Sequence, residues 1–324
     1  MSATRSLNPR YLIAIVVLAA LLVFLLFVPA IFASFYTRLA TEILIWAVFA
    51  MSLDLLLGYT GLPSLGHAAF FGVAAYTVAL TNVRWNIDSF PLAVAAGIGM
   101  AAVTALTFGV LILRTSNVTF LLITLALAQV LWGLAYRMSN VTNGDNGIAG
   151  LTRPMPFGIS LDSAASFYRF ALVVAAFAYL MMAIFVSSSF GSSLKGVRDQ
   201  PRRMAALGFN PWMIRWITFI YAGFWGGVSG LLYVYYHKYI HPTSLSTTSS
   251  AEALLGVIAG GSGTLGGPVA GAALVLLLKN YASAYVERWN MLLGLVFLFI
   301  VLVMPTGIVP GLSKLVARLR GGSR

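Results

Sequence analysis

FGSSLKGVRDQPRRMAALGFN, Phe190 to Asn210, is a polar, basic stretch set between two long apolar runs, and that setting decides the fold. It carries Lys195, Arg198, Arg202 and Arg203, then the short helical cassette Met204-Ala205-Ala206-Leu207-Gly208. The runs on either side are about twenty residues long, the length at which a helix crosses the hydrocarbon core of a bilayer. A chain this apolar has few places to meet a soluble protein. The expectation is that this loop, over residues 190–211, docks a cytoplasmic partner.

Composition agrees with that setting. Of 324 residues, 60% are hydrophobic and 9% charged, whereas soluble domains carry about 25% charged residues. The chain therefore reads as an all-α, polytopic membrane helix bundle in the lipid bilayer, one transmembrane domain over 1–324. Apolar runs lie near 11–33, 39–57, 62–81, 90–113, 118–137, 167–188, 212–236 and 289–304, with a more broken run over 251–283. Arg5 and Arg10 precede the first run. That run exceeds the roughly 7–15 residues of a signal-peptide core, and more spans follow, so it reads as a retained helix. There is no cysteine, which excludes disulfides and thiolate metal sites. The net charge of +12 does not indicate nucleic acid; in a membrane protein Lys and Arg collect in cytoplasmic loops and set orientation.

With the 190–211 loop inside, Arg5, Arg10 and Arg114 also lie inside, while Arg84, Asp88 and the loop Asn140 to Ser166 lie outside. The basic tail over 305–324 adds Lys314, Arg318, Arg320 and Arg324. If 251–283 crosses once, there are nine spans and this tail lies outside. If the run turns back at its glycines, there are ten, and the tail lies inside. Ten spans put the larger share of cations inside, and both termini are then expected to be cytoplasmic.

Two glycine-rich stretches interrupt the apolar pattern. One runs from Gly58 through Gly61, Pro63, Ser64, Leu65 and Gly66 to His67; the other runs from Gly256 through Gly261, Ser262, Gly263, Thr264, Leu265 and Gly266 to Pro268. Gly61, Ser64, Leu65 and Gly66 line up in order with Gly261, Thr264, Leu265 and Gly266. Irregular backbone at membrane depth survives only where protein or a water-filled path satisfies its polar groups. Transporters place such breaks near their pathways, at matching points of two halves. Close helix packing through small residues is the other reading. No G-x-x-x-x-G-K-[ST] pattern occurs, so the chain has no phosphate loop of that kind.

The acidic and histidine residues within the apolar runs are Glu42, Asp54, His67 and Glu252. Such groups are costly in lipid and tend to be functional. They form no midplane carboxylate cluster of the sort that proton coupling needs. His67 reads as a hydrogen-bond anchor for the first break rather than a proton relay. No nucleophile, base and orienting group fall together, and no zinc-ligand spacing appears, so intramembrane hydrolysis is not expected. In the outer loop NGDNGIAGLTRP, Asp145 and Arg153 are candidate contacts for a soluble protein, or simply solvated residues.

Five motifs in order now carry a resemblance: GYTGLPSLGHAAFFGVAAY (58–76), RTSNVTFLLITLALAQVL (114–131), NGDNGIAGL (143–151), RDQPRRMAALGFNPWMIRWITF (198–219) and GVIAGGSGTLGGPVAGAAL (256–274). Together they resemble the LivM-type permease subunit of branched-chain amino-acid ABC transporters, over nearly the whole chain after the first helix. The resemblance implies a type II ABC importer permease-like bundle in a bacterial inner membrane. Its expected partners are a second, LivH-type permease, two cytoplasmic ATPases and a periplasmic substrate-binding protein. ATP would be bound by the ATPases, and this chain would carry no cofactor and no catalytic residue. Arg198, Arg202, Arg203, Met204, Ala205, Ala206, Leu207 and Gly208 would form the ATPase-coupling element. Relatives often carry Glu where Ala205 stands, so one acidic contact is missing from the pattern. Gly61, Ser64, Gly66, His67, Gly261, Ser262, Thr264 and Gly266 would border the pathway.

The implied mechanism is alternating access, with ATP-driven closure of the ATPases pulling on the coupling loop. The Gly/Ala-rich segments 61–75 and 256–273 would give the path small, apolar walls. A permease of the same fold moving urea or short amides would share every motif, since selection rests largely with the binding protein. An ion-coupled secondary transporter is the rival outside this class.

Overall fold

The computed structural model describes residues 24–87, 89–115, 117–158, 160–285 and 288–320. The first apolar run up to residue 23, with Arg5 and Arg10, lies outside the described residues, as do Asp88 and Arg324. Among the described residues, six helical stretches are long and apolar enough to cross a membrane: Ser34–Tyr59, Phe90–Ile112, Val118–Arg137, Ala164–Ser187, Pro211–His237 and Met291–Lys314, the last of which takes in a turn at 304–307.

In chain order, α1 spans Ser34–Asp54 and is prolonged by a wider π-helical turn, Leu55–Tyr59. Then come α2 (Ala68–Ala79), α3 (Phe90–Ile112), α4 (Asn117–Arg137) and α5 (Ala164–Ser187). Two short helices, α6 (Ser189–Asp199) and α7 (Pro201–Ala206), lead into α8 (Pro211–His237). The chain finishes with α9 (Thr247–Gly260), α10 (Gly266–Ala282), α11 (Trp289–Val303) and α12 (Ile308–Arg320).

The core forms where α8 presents small residues to α2 and α3. A Cβ at Gly230 would collide with the Phe71 carbonyl, so the two backbones meet directly. Without a hydrophobic effect to join helices in lipid, such close approach supplies the van der Waals contact that holds them. Aromatic rings fill the level beside it: Phe70 lies edge-on to Phe219 with centroids 5.3 Å apart.

The bundle has two recognisable ends. At one, named the coupling end after the docking expected of residues 190–211, α1 finishes, α6 and α7 lie, and the turn between α9 and α10 sits. At the other, the distal end, the loop after α4 pairs with the segment after α8: Ile148 faces Ile240 and Ala149 faces Tyr239 in a short antiparallel ladder. Arg153 anchors that loop, donating to the carbonyls of Leu161, Asp162, Tyr235 and Tyr236 at 2.8–3.2 Å.

Several elements differ from their sequence-based expectation. The 190–211 segment is mostly helix, because Ser188 caps α6 by accepting from the Gly191 N–H and α6 buries Gly191, Leu194 and Val197 on one face. The cassette begins three residues early, since Pro201 fits the first helical turn. The span expected from 62 becomes helical only at Ala68, after an irregular passage containing Pro63 and a left-handed Gly61 at φ +70. The run over 251–283 turns back at its glycines, as the ten-span reading expects. The antiparallel pair α9 and α10 crosses where Gly256 and Gly260 meet Gly271 and Gly267, two glycine pairs at four-residue spacing. Gly261 lies against Pro310 of α12, so the C-terminal helix shares the coupling end.

Candidate functional site: the junction at the coupling end

The coupling segment has two faces. Inward, Lys195 stands 5.9 Å from the Tyr59 ring centroid, and Gly196 packs on the Met204 thioether. Outward, Arg202, Arg203, Ala205, Ala206, Leu207 and Gly208 are exposed. Leu207 is 67% exposed and Phe209 46%, which gives an apolar knob flanked by two arginines.

The knob is held by its helix terminus. Gly208 adopts φ +88, its N–H bonds the Ala205 carbonyl at 3.0 Å, and the Phe209 N–H bonds the Met204 carbonyl at 3.1 Å. This is the paired closure that ends a helix at a left-handed glycine. Asn210 then caps α8 by accepting from the Met213 N–H at 3.2 Å, with Pro211 in the first turn.

Arg198 points the other way, into the bundle. Its Nη1 donates to the Gly58 carbonyl at 2.6 Å and its Nε to Asp199 at 2.8 Å. That bond pulls the exposed Asp199 carboxyl below its ordinary pKa. The Arg198 alkyl chain lies directly against Gly61, leaving no room for a Cβ there. The coupling segment is thus fastened to the first glycine break.

The first break is fastened in turn to the second. Asp54, fully buried at the end of α1, accepts from the Gly263 N–H at 2.7 Å. A Cβ on Gly58 would strike both the Gly263 amide and the Asp54 carboxylate. Beyond Gly263, Thr264 donates to the Gly261 carbonyl at 2.7 Å and accepts from the Gly267 N–H at 3.1 Å. Ser262 and Thr264 are exposed, whereas Gly261 is buried at φ +117. Leu265 carries the turn into α10 at φ +44, a left-handed value that a branched side chain adopts only under constraint.

Deeper in the bundle, the first break closes on itself and on its neighbours. Ser64 accepts from the Gly66 N–H at 3.2 Å, and the Leu65 N–H reaches the Thr124 hydroxyl at 3.2 Å. Gly66 abuts the Thr124 carbonyl. His67 is fully buried between the Phe49 and Phe70 rings, with Nε2 2.7 Å from the Ser52 hydroxyl. The Ala68 N–H, at the start of α2, donates to Ser250 of α9 at 2.9 Å. Two interrupted helices therefore begin side by side inside the bundle, α2 entering from one end and α9 from the other.

Of the residues singled out from the sequence, Arg198, Gly61 and Gly261 fall within this junction, while Ser64, Gly66 and His67 form a second group higher in the bundle. Gly266 joins neither, because a Cβ there meets nothing. Asp145 is exposed, 3.5 Å from His241, and Arg153 is engaged by backbone carbonyls of its own loop and of the end of α8. Three residues that matter were missed as site residues: Gly58, Asp54 and Gly263. A lone carboxylate in an apolar run was the available signal for Asp54.

A helical membrane bundle with two interrupted helices, and a helix pair projecting at the end where one of them breaks, is built as a transporter subunit. The chain belongs to the family described as "Branched-chain amino acid transport system / permease component", whose model matches residues 35–302. It is 23% identical to the "High-affinity branched-chain amino acid transport system permease protein LivM" of Escherichia coli (strain K12), over 94% of this chain and 77% of that protein. The protein of the same name from Salmonella typhimurium is also 23% identical, over 90% of this chain and 74% of its own length. No solved structure matches the chain.

Proposed function

We propose that this chain is the permease subunit of an ATP-driven ABC importer for branched-chain amino acids, forming half of the translocation pathway. The coupling end faces the cytoplasm and docks an ATPase through α6 and α7. A second, LivH-type permease completes the pathway, a second ATPase serves that subunit, and a periplasmic binding protein delivers substrate to the distal end. ATP stays on the ATPases. Both termini are cytoplasmic, and the membrane is a bacterial inner membrane.

The observation that carries this reading is the division of labour in the coupling segment. Leu207 and Phe209 present an apolar knob with no covering residue among those described, while Arg198 is bonded inward to Gly58. One face suits a partner and the other is connected to the helix breaks. Movement of a docked ATPase would be passed to α1 and, through Asp54 and Gly263, to the α9–α10 turn.

A mild-detergent pull-down of the tagged chain from its native membrane, read by mass spectrometry, tests the assignment. A second permease and ATPases in the eluate are expected. Recovery of the chain alone, in a detergent that keeps known ABC complexes together, would overturn it in favour of an ion-coupled carrier. Leucine uptake against urea uptake by the same membranes separates the two substrate classes.

A further inference from the structure

Away from the junction, a cavity of ≈ 550 Å³ opens between α1, α2, α4, α8, α9 and α10, within the roughly 300–1,000 Å³ range of small-molecule sites. Its wall combines two chemistries. Trp46 and Tyr233 flank Phe71, with ring centroids 6.0 and 5.1 Å away, as an aromatic surface. Facing the same space, Glu252 on α9 and Lys279 on α10 form an ion pair at 3.2 Å, the Glu252 side chain 13% exposed and the Lys279 side chain 40%.

The Glu252 carboxylate, its side chain largely covered among spanning helices, is costly to place there. Apolar residues of similar volume hold helices together as well or better, so a charged pair lining a cavity among spanning helices points to a ligand. The pair has the same charges as the main-chain end of a free amino acid. A zwitterion can enter by exchange, its ammonium replacing the Lys279 ammonium on Glu252 and its carboxylate meeting Lys279. Each charge of the pair has an opposite charge beside it before and after. The aromatic surface then faces an apolar side chain. The next carboxylate along α1, Glu42, lies within electrostatic reach of both partners, and with Arg38 it lines a separate polar cavity toward the distal end.

We propose that this cavity is a substrate-binding station within the chain, in which Glu252 and Lys279 hold the ammonium and carboxylate of an apolar amino acid while Trp46 and Phe71 hold its side chain. The station rests on the amino-acid import assigned above. It accepts a zwitterion in preference to an amine or an acid alone, because only a zwitterion engages both Glu252 and Lys279.

The chain has no cysteine, so a thiol introduced by Thr248→Cys, at an exposed position on the cavity wall, is unique within it. The test measures maleimide labelling of that thiol in membrane vesicles holding the whole transporter. Leucine at about ten times its dissociation constant should slow labelling about tenfold by occupancy. Isopentylamine and 4-methylpentanoate, each lacking one charge, should leave the rate unchanged. Glu252→Gln should abolish leucine protection without altering the unprotected rate, and Lys279→Gln provides the same reading from the other partner if the first variant fails to assemble. Vesicles that import leucine but show no leucine protection would sink the station and leave the transport assignment standing. Equal protection by the single-charge analogues, or a thiol that no maleimide reaches, would also overturn it. Vesicles importing urea but not leucine would instead remove the transport assignment, and the amino-acid station with it.

Discussion

The Arg198 guanidinium donates to the Gly58 carbonyl at 2.6 Å, across 140 residues of sequence, and so joins the coupling segment to the end of the first spanning helix. Gly58 in turn touches Gly263, which Asp54 holds by its amide. Three segments distant in the chain meet through one arginine, one carboxylate and two glycines.

Removing this link should disconnect transport from assembly. In the importer proposed above, Arg198→Ala is expected to cut leucine uptake about tenfold or more while the permease still co-purifies with the ATPases. A hydrogen bond to a charged group contributes about 1.5–3 kcal/mol, and less here because the Arg198 side chain is 38% exposed. Uptake at the wild-type rate would show that the link transmits nothing.

Leu207 has the opposite character. It is 67% exposed and its helix is closed by backbone bonds, so Leu207→Glu should leave the thermal stability of the isolated chain within about 0.5 kcal/mol of wild type. ATPase recovery in a pull-down should fall sharply. Normal recovery would mean that the partner docks elsewhere.

Asp54→Ala leaves the Gly263 N–H without its acceptor. The expected loss is about 1–3 kcal/mol, seen as a lower melting temperature in detergent, with Asp54→Asn closer to wild type because its amide oxygen can still accept. If the two variants melt alike, the Gly263 bond is not the reason for the carboxylate.

Not all glycines of α10 are equal. Gly266→Ala should be tolerated, since a Cβ there meets nothing, whereas Gly271→Val would drive a side chain into the Gly256 backbone. Overpacking of that kind costs about 1–3 kcal/mol or more, and less folded protein should be recovered. Equal recovery of both variants would contradict the crossing of α9 and α10.

At the distal end, Arg153 spans four carbonyls from two parts of the chain. Arg153→Ala should release the segment between α4 and α5, so that protease added from that side cuts there markedly faster. An unchanged cleavage rate would show that the short ladder at Ile148 and Ile240 holds the loop alone.

Much of this architecture is legible in the residues. Apolar runs of spanning length set the class, because lipid permits only backbone that satisfies itself within a helix. α3, α4 and α8 begin and end within a residue or two of their expected bounds. Ser188, Pro201, Gly208 and Asn210 act locally, through caps and left-handed geometry, so the short helices of the 190–211 segment are encoded at short range. Gly61 and Gly261 marked the two breaks for the same reason.

What local signals do not encode is which groups meet. Arg198 reads as one more basic loop residue until the fold turns it toward Gly58, and Glu252 and Lys279 lie 27 residues apart with nothing in their spacing to pair them. Helix length and polarity depend on neighbours along the chain, so the sequence by itself determined a membrane bundle with two interruptions and a basic segment between two spans. Contacts between helices depend on close packing of small residues, Gly230 on Phe71 and Gly256 on Gly271. Only the tertiary structure, through that packing, decided that both breaks share one junction and that an ion pair faces an aromatic wall.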